Sequence, residues 1–178
     1  MTALHRAAAV GFARSADAYE RGRPGYPDDA VDRLVAALPG PHVVDLAAGT
    51  GKLTRALVAR DLDVVAVEPV AEMRAAIGVP ARVLDGTAEA IPLPDASADA
   101  LTVAQAFHWF LGPPREEAFV NDQILDADGL ADRFGSISFV AALGECERAA
   151  LLEEIRALAA DGTVVLSYVV ELALAVRR

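Results

Sequence analysis

The stretch VVDLAAGTGKLTRAL, Val43 to Leu57, carries the chemistry most plainly. A short β-branched run ends in an acid, Asp45, a turn of small residues follows, and an amphipathic stretch begins after Gly51. Gly49 and Gly51 let a ligand lie against the backbone with no Cβ in the way. A second acid, Glu68, closes the next β-branched run, at a spacing past Gly51 that suits a ribose diol.

Three ligand classes compete for such a turn. A phosphate-cradling loop of the pattern G-x-x-x-x-G-K-[ST] needs Gly at 46 and Ser or Thr at 53; the chain has Leu46 and Leu53, so the magnesium-binding hydroxyl is missing. A dinucleotide turn, G-x-G-x-x-G, needs a third glycine where Thr54 stands, which weakens an NAD-binding oxidoreductase without excluding it. The third class, a nucleoside bearing an amino-acid arm, is implied by the family that the motifs of this chain resemble: its ribose would use Glu68, its ammonium would be attracted by Asp45 directly or through water, and it requires no phosphate-binding lysine.

The elements around the turn set its surroundings. DDAVDRLVAAL places Val31, Leu34, Val35 and Leu38 on one helical face, with Asp28 or Asp29 as cap after Pro27. HVVDL, LDVVAVE, ARVLDG and ASADALTVAQAF read as strands, with GKLTRALVARD and VAEMRAAI as helices between the first three. Short apolar strands alternating with helices predict an α/β fold with a doubly wound, mostly parallel sheet and helices on both faces. In such sheets ligands sit beyond the carboxyl ends of the strands.

These motifs, in this order, resemble the class I S-adenosylmethionine-dependent methyltransferases, specifically their quinone-biosynthesis-like small-molecule branch. VVDLAAGTGKLT, VVAVEP and DGTAEAIPLPDASADALTVAQAFHWF carry the similarity, which covers about Phe12 to Phe110. It implies a Rossmann-like methyltransferase fold and S-adenosylmethionine as cofactor. Asp45, Ala47, Gly49 and Gly51 would form the cofactor turn, Glu68 with Pro69 the ribose contact, Gly86 to Glu89 with Thr87 and Ala88 the adenine contact, and Gln105 and Ala106 the methionine wall. YERGRPGYP resembles the family's N-terminal lid, with Tyr19, Arg23 and Tyr26 over the pocket and Arg23 facing the cofactor carboxylate. Tyr26 and Trp109 would border the substrate.

The motifs depart from the family at two positions. Ala47 stands where the first glycine is usual. Thr87 replaces the acid that often accepts from the adenine amino group; a hydroxyl accepts more weakly, and Asp85 is the substitute if the loop shifts. Simpler roles compete throughout: Glu68 as a solvated acid, Tyr19 and Tyr26 as packing, Trp109 as a wall, and His108 as a ring bonded to backbone rather than a general base beside the methyl acceptor. The expected reaction is an in-line displacement that needs alignment and water exclusion, with no catalytic triad.

Bulk properties agree. A chain of 178 residues suits one domain, read as a lid over 1–40, a cofactor-binding core over 41–111 and a C-terminal part over 112–178. Hydrophobic content is 54 %, yet no apolar run approaches a membrane span, and no secretory leader is read, which makes the cytoplasm the expected compartment. Net charge of −10 argues against nucleic acid as partner. One cysteine, Cys146, and three scattered histidines exclude an internal disulfide and give no metal-ligand spacing. The expected partner is a small methyl acceptor, and the expected state a monomer or homodimer.

The C-terminal part poses the harder problem. After the fourth strand the family continues with a helix, a fifth strand and a substrate-covering insert, and none is legible here. A block on the order of 60–70 residues is missing relative to the usual single α/β domain, between Pro113 and Ile124. A discontinuous chain there, with the enzyme intact, is favoured over a true deletion, because a lost buried strand should cost more than a domain's stability of about 5–15 kcal/mol. A true deletion would open the sheet edge and favour dimerisation. Without an active site, the same fold would be a non-catalytic cofactor-binding or scaffold protein.

Overall fold

The computed structural model describes residues 20–106 and 117–173. The chain divides into two compact units, one of Gly25–Asn121 with Val169–Arg178, the other of Met1–Pro24 with Asp122–Tyr168. The expected lid segment, 1–40, therefore contributes to both.

The first unit holds α1 (Asp28–Ala37), β1 (His42–Leu46), α2 (Lys52–Val58), β2 (Asp63–Val67), α3 (Ala71–Ala75), β3 (Arg82–Leu84) and β4 (Ala100–Val103). Its sheet has the order β3-β2-β1-β4, and every pairing is parallel. Val43 lies beside Val64 on one side and Ala100 on the other. The expected α/β architecture is present, and the strands are apolar on both sides because both faces are covered. On one face Val43 and Val64 pack with Val31, Leu53 and Leu57 of the helices. On the other, Val44, Leu46 and Val67 meet Ala88, Ile91, Leu93 and Ala98 of the β3–β4 connection.

Helix α1 begins differently from expectation. Pro27 is the capping residue and no side chain caps the helix; Asp28 and Asp29 lie inside the first turn, where their charges complement the helix dipole. The fourth strand is shorter than expected, four residues, and among the described residues it ends the sheet.

The second unit is built on α4 (Ala127–Gly135), α5 (Ser138–Ala141) and α6 (Glu145–Ala157). Asp126 caps α4 by accepting the Gly129 N–H at 2.8 Å. Leu130 and Ile155 pack with Leu125 and Ala159 in its core. Residues 20–24 lie against α4: Gly22 allows the approach, since a Cβ there would meet the Asp132 and Arg133 backbone at 2.4 Å. Arg21 pairs with Asp132, and Arg23 Nε donates to Ser136 Oγ at 3.3 Å.

Strands β5 (Glu117–Leu125) and β6 (Val164–Leu172) form a separate two-stranded sheet. The hydropathy of the sequence does not disclose β5. The inward positions of β5 include Glu117, Asn121 and Gln123, so its burial alternates while its hydropathy does not. Residues 117–124 of the interval expected to hold the missing block lie within β5, and residues 113–116 lie outside the described residues. No helix among the described residues is long and apolar enough to cross a membrane.

Candidate functional site

The order β3-β2-β1-β4 means that the chain winds outward from β1 to β3, then returns to place β4 on the other side of β1. Between β1 and β4 the direction of winding reverses, and the carboxyl edge there is the natural ligand crevice of an open parallel sheet. The turn after β1 and the segment after β4 both stand at that edge.

The turn is bent by left-handed residues: Ala47 at φ 55°, Gly49 at 58° and Gly51 at 82°. Ala47 bears its conformation at a cost of about 1–2 kcal/mol, which a glycine would avoid. The glycines serve different ends. A Cβ on Gly49 would meet nothing within 4 Å, so that position faces open space, as a ligand approach requires. A Cβ on Gly51 would press Ile77 at 2.9 Å, so Gly51 answers to packing rather than to a ligand. Gln105, directly beyond β4, is also left-handed at φ 53°; non-glycine residues held this way gather at functional edges. Gln105 is exposed and Ala106 half-buried.

Glu68 is drawn into the turn rather than solvated. Its Oε2 accepts the Gly49 N–H at 2.9 Å and its Oε1 the Val70 N–H at 2.9 Å, and the residue is 6 % exposed. Pro69 favours extended backbone at Glu68, so the chain beyond Pro69 brings the Val70 amide back to the carboxylate. Burial raises the Glu68 carboxyl above its usual range, opposed by those two N–H groups and by the Arg74 charge. Each oxygen keeps a lone pair for a further donor.

Asp45 is buried, 1 % exposed. Thr54 Oγ1 donates to Oδ2 at 2.6 Å and Thr102 Oγ1 to Oδ1 at 3.0 Å, tying β1 to α2 and β4. Burial pushes its carboxyl up to about 6 from 3.8, although both hydroxyls pull the other way. The expected direct approach of an ammonium is therefore not what this geometry offers, because packing encloses both oxygens. What remains is a negative charge beneath the turn.

The segment after β3 is held tightly. Thr87 and Ala90 exchange backbone hydrogen bonds at 3.3 and 3.1 Å, and a Cβ on Gly86 would meet Pro92 at 2.5 Å. Thr87 is exposed, while Ala88 packs on the sheet. Asp85, the alternative adenine acceptor, is paired with Arg74 at 3.2 Å. Tyr26 packs against the α1 core, which favours its packing role. Arg23 belongs to the other unit. Tyr19, His108 and Trp109 lie outside the described residues.

Four residues at this edge were not anticipated: Thr54 and Thr102, which hold Asp45, and two arginines. Arg55 Nη1 donates to the Thr50 carbonyl at 2.8 Å and to the Ile77 carbonyl at 3.2 Å, bracing the turn. Arg74 Nη1 donates to the Glu68 carbonyl at 2.8 Å. Thr54 had a signal, since it occupies the place of a dinucleotide turn's third glycine. No group of three or more His, Cys, Asp or Glu among the described residues could hold a metal.

The profile of a family described as Methyltransferase domain matches residues 44–166. The chain belongs to this methyltransferase family. Two curated relatives, the uncharacterized methyltransferases Mb3374 of Mycobacterium bovis and Rv3342 of Mycobacterium tuberculosis, are each 53 % identical over 113 residues. That match covers 61 % of this methyltransferase chain and 46 % of each relative, so the chain spans about half the length of the curated relatives it matches. The ubiquinone/menaquinone biosynthesis C-methyltransferase UbiE of Rubrivivax gelatinosus is 42 % identical over 76 residues, 40 % of this chain and 30 % of that protein. Among solved structures, one from Anaeromyxobacter dehalogenans, named as a candidate type II methyltransferase, superposes with a TM-score of 0.58 at 20 % identity. It covers 83 % of this chain and 93 % of that one, a likeness of fold.

Proposed function

We propose that this methyltransferase domain binds S-adenosylmethionine at the carboxyl edge of its sheet and directs methyl transfer to a small organic acceptor. The observation that carries the reading is the 2.9 Å bond from the Gly49 N–H to Glu68 Oε2, with open space where a Gly49 side chain would stand. This pairing sets a carboxylate with spare lone pairs beside a bare backbone, which suits a nucleoside with an amino-acid arm. The residues fit the cofactor without a phosphate site.

In this reading Glu68 accepts from the ribose hydroxyls, with Pro69 fixing its backbone. Gly49 leaves room for the cofactor, Ala47 and Gly51 shape the turn, and Asp45 adds a buried negative charge that favours a cationic ligand. Thr87 and Ala88 border the adenine, and Gln105 and Ala106 the methionine arm. When bound, the cofactor supplies a methyl group already electrophilic on a sulfonium sulfur, so the protein's task is to align the acceptor and exclude water. His108 acts as base only if the acceptor must first lose a proton. The similarity to UbiE supports an acceptor of the quinone-precursor kind, and the acidic surface favours a small molecule over nucleic acid.

The test is transfer of a tritiated methyl group from S-adenosylmethionine into a metabolite extract. Label should enter a small molecule with the intact protein and not with Glu68→Ala. A non-catalytic cofactor-binding role is the second reading, favoured by Thr87 in the place of the acid that often accepts from the adenine amino group; tight binding without turnover on any acceptor would establish it.

A further inference from the structure

We propose that Arg74 is a positioning residue for the nucleoside half of the cofactor, acting through Glu68 and joining the ribose wall of the site to its adenine wall. The inference rests on the cofactor reading above and concerns a residue outside the family-like motifs.

Arg74 lies in α3, yet its guanidinium reaches two other elements. Nη1 donates to the Glu68 backbone carbonyl at 2.8 Å, and the same group pairs with Asp85, Nη1 to Oδ1 at 3.2 Å and Nη2 to Oδ2 at 3.3 Å. Glu68 follows β2 and Asp85 follows β3, immediately before Gly86 and Thr87. One planar fork thus fixes the spacing between the acid proposed for the ribose and the segment proposed for the adenine. Lysine, a point charge, lacks the fork that does this but retains the charge. The Arg74 side chain is 22 % exposed and Asp85 72 %, so the pair with Asp85 alone is too solvated to matter much for folding. The part-buried bond to Glu68 is the stronger tie.

The charge has a second consequence. Glu68 must be ionised to offer both oxygens as acceptors. The charged groups acting on it are Arg74 from α3, which favours ionisation, Asp85 after β3, which opposes it, and the buried Asp45 of β1, which is also coupled to it. Its remaining partners are the uncharged N–H groups of Gly49 and Val70. Arg74 therefore keeps the ribose acceptor charged as pH falls.

Calorimetric titration with S-adenosylhomocysteine between pH 5 and 8 tests this. In Arg74→Ala the acid limb of binding should move to higher pH by about one unit, the scale of a lost neighbouring charge, and Arg74→Lys should restore most of it. In Asp85→Asn the limb should move the opposite way, to lower pH. Asp85→Asn and Arg74→Lys keep the proposal testable if Arg74→Ala fails to fold by circular dichroism. A uniform weakening of Arg74→Ala at every pH, or a limb that stays in place when the Asp85 charge is removed, would overturn the proposal. If the unmodified protein binds no S-adenosylhomocysteine at any pH, the cofactor reading itself fails, a result distinct from an unmoved limb.

Discussion

The Gly49 amide donates to Glu68 Oε2 at 2.9 Å, and this bond ties the turn after β1 to the end of β2. Two strands that already pair in parallel are thereby joined at their carboxyl ends by a side chain that also carries charge. Glu68→Ala leaves the half-buried Gly49 N–H and the buried Val70 N–H without their acceptor, a loss of about 1–3 kcal/mol for the buried group left unsatisfied. Chemical denaturation should show a lower midpoint with an unchanged slope. A variant as stable as the parent would mean that the bond contributes little to holding the turn.

Asp45 makes stability depend on pH. Its carboxyl is raised from 3.8 to about 6 in the folded chain, so folding favours the protonated form. The contribution is fully present below the unfolded value, declines as pH rises from about 4 to about 6, and is flat above. One such group accounts for about 3 kcal/mol across that window. Denaturant melts at pH 4.5 and 7 should show a difference that shrinks in Asp45→Asn. Identical pH dependence in parent and variant would assign the effect to other groups.

Ala47 occupies a left-handed position at φ 55°. Ala47→Gly should stabilise by about 0.5–1 kcal/mol, since relief of strain exceeds the added flexibility of the unfolded chain. Gly51→Ala should destabilise, because it combines a left-handed backbone at φ 82° with contact against Ile77 at 2.9 Å. Thermal melts of the two variants should move in opposite directions. A rise in both would show that the turn relaxes.

Leu57 is fully buried, where α2 packs on the sheet. Leu57→Ala should cost about 2–5 kcal/mol, the usual range for a cavity in a packed core. A smaller loss in urea would mean that the helix face collapses into the space.

Much of the first unit was legible. Continuous apolar runs such as VVDL and DVVAV disclosed a sheet buried on both faces, and the small-residue turn disclosed the ligand edge. Glu68 was found because an acid at a strand end stands out against apolar neighbours. The hidden parts share a physical cause. Thr54 and Thr102 matter through one buried carboxylate; Thr54 is marked only by standing where a dinucleotide turn has its third glycine, and Thr102 by nothing in its own surroundings in sequence. Arg74 resembles any charged helix residue until α3 is placed beside the ends of β2 and β3. Strand β5 turns Glu117, Asn121 and Gln123 toward half-buried positions, and Gln123 spends its amide on the Gly22 carbonyl and its oxygen on Tyr168, so polarity conceals the period.

The most direct measurement is calorimetric titration of the protein at pH 7 with S-adenosylhomocysteine, and separately with NAD, repeated on Glu68→Ala. The account predicts one S-adenosylhomocysteine bound per chain, affinity reduced about tenfold or more in Glu68→Ala for a lost hydrogen-bond acceptor, and no heat from NAD. Binding of NAD alone, or S-adenosylhomocysteine binding that is indifferent to Glu68, would contradict it.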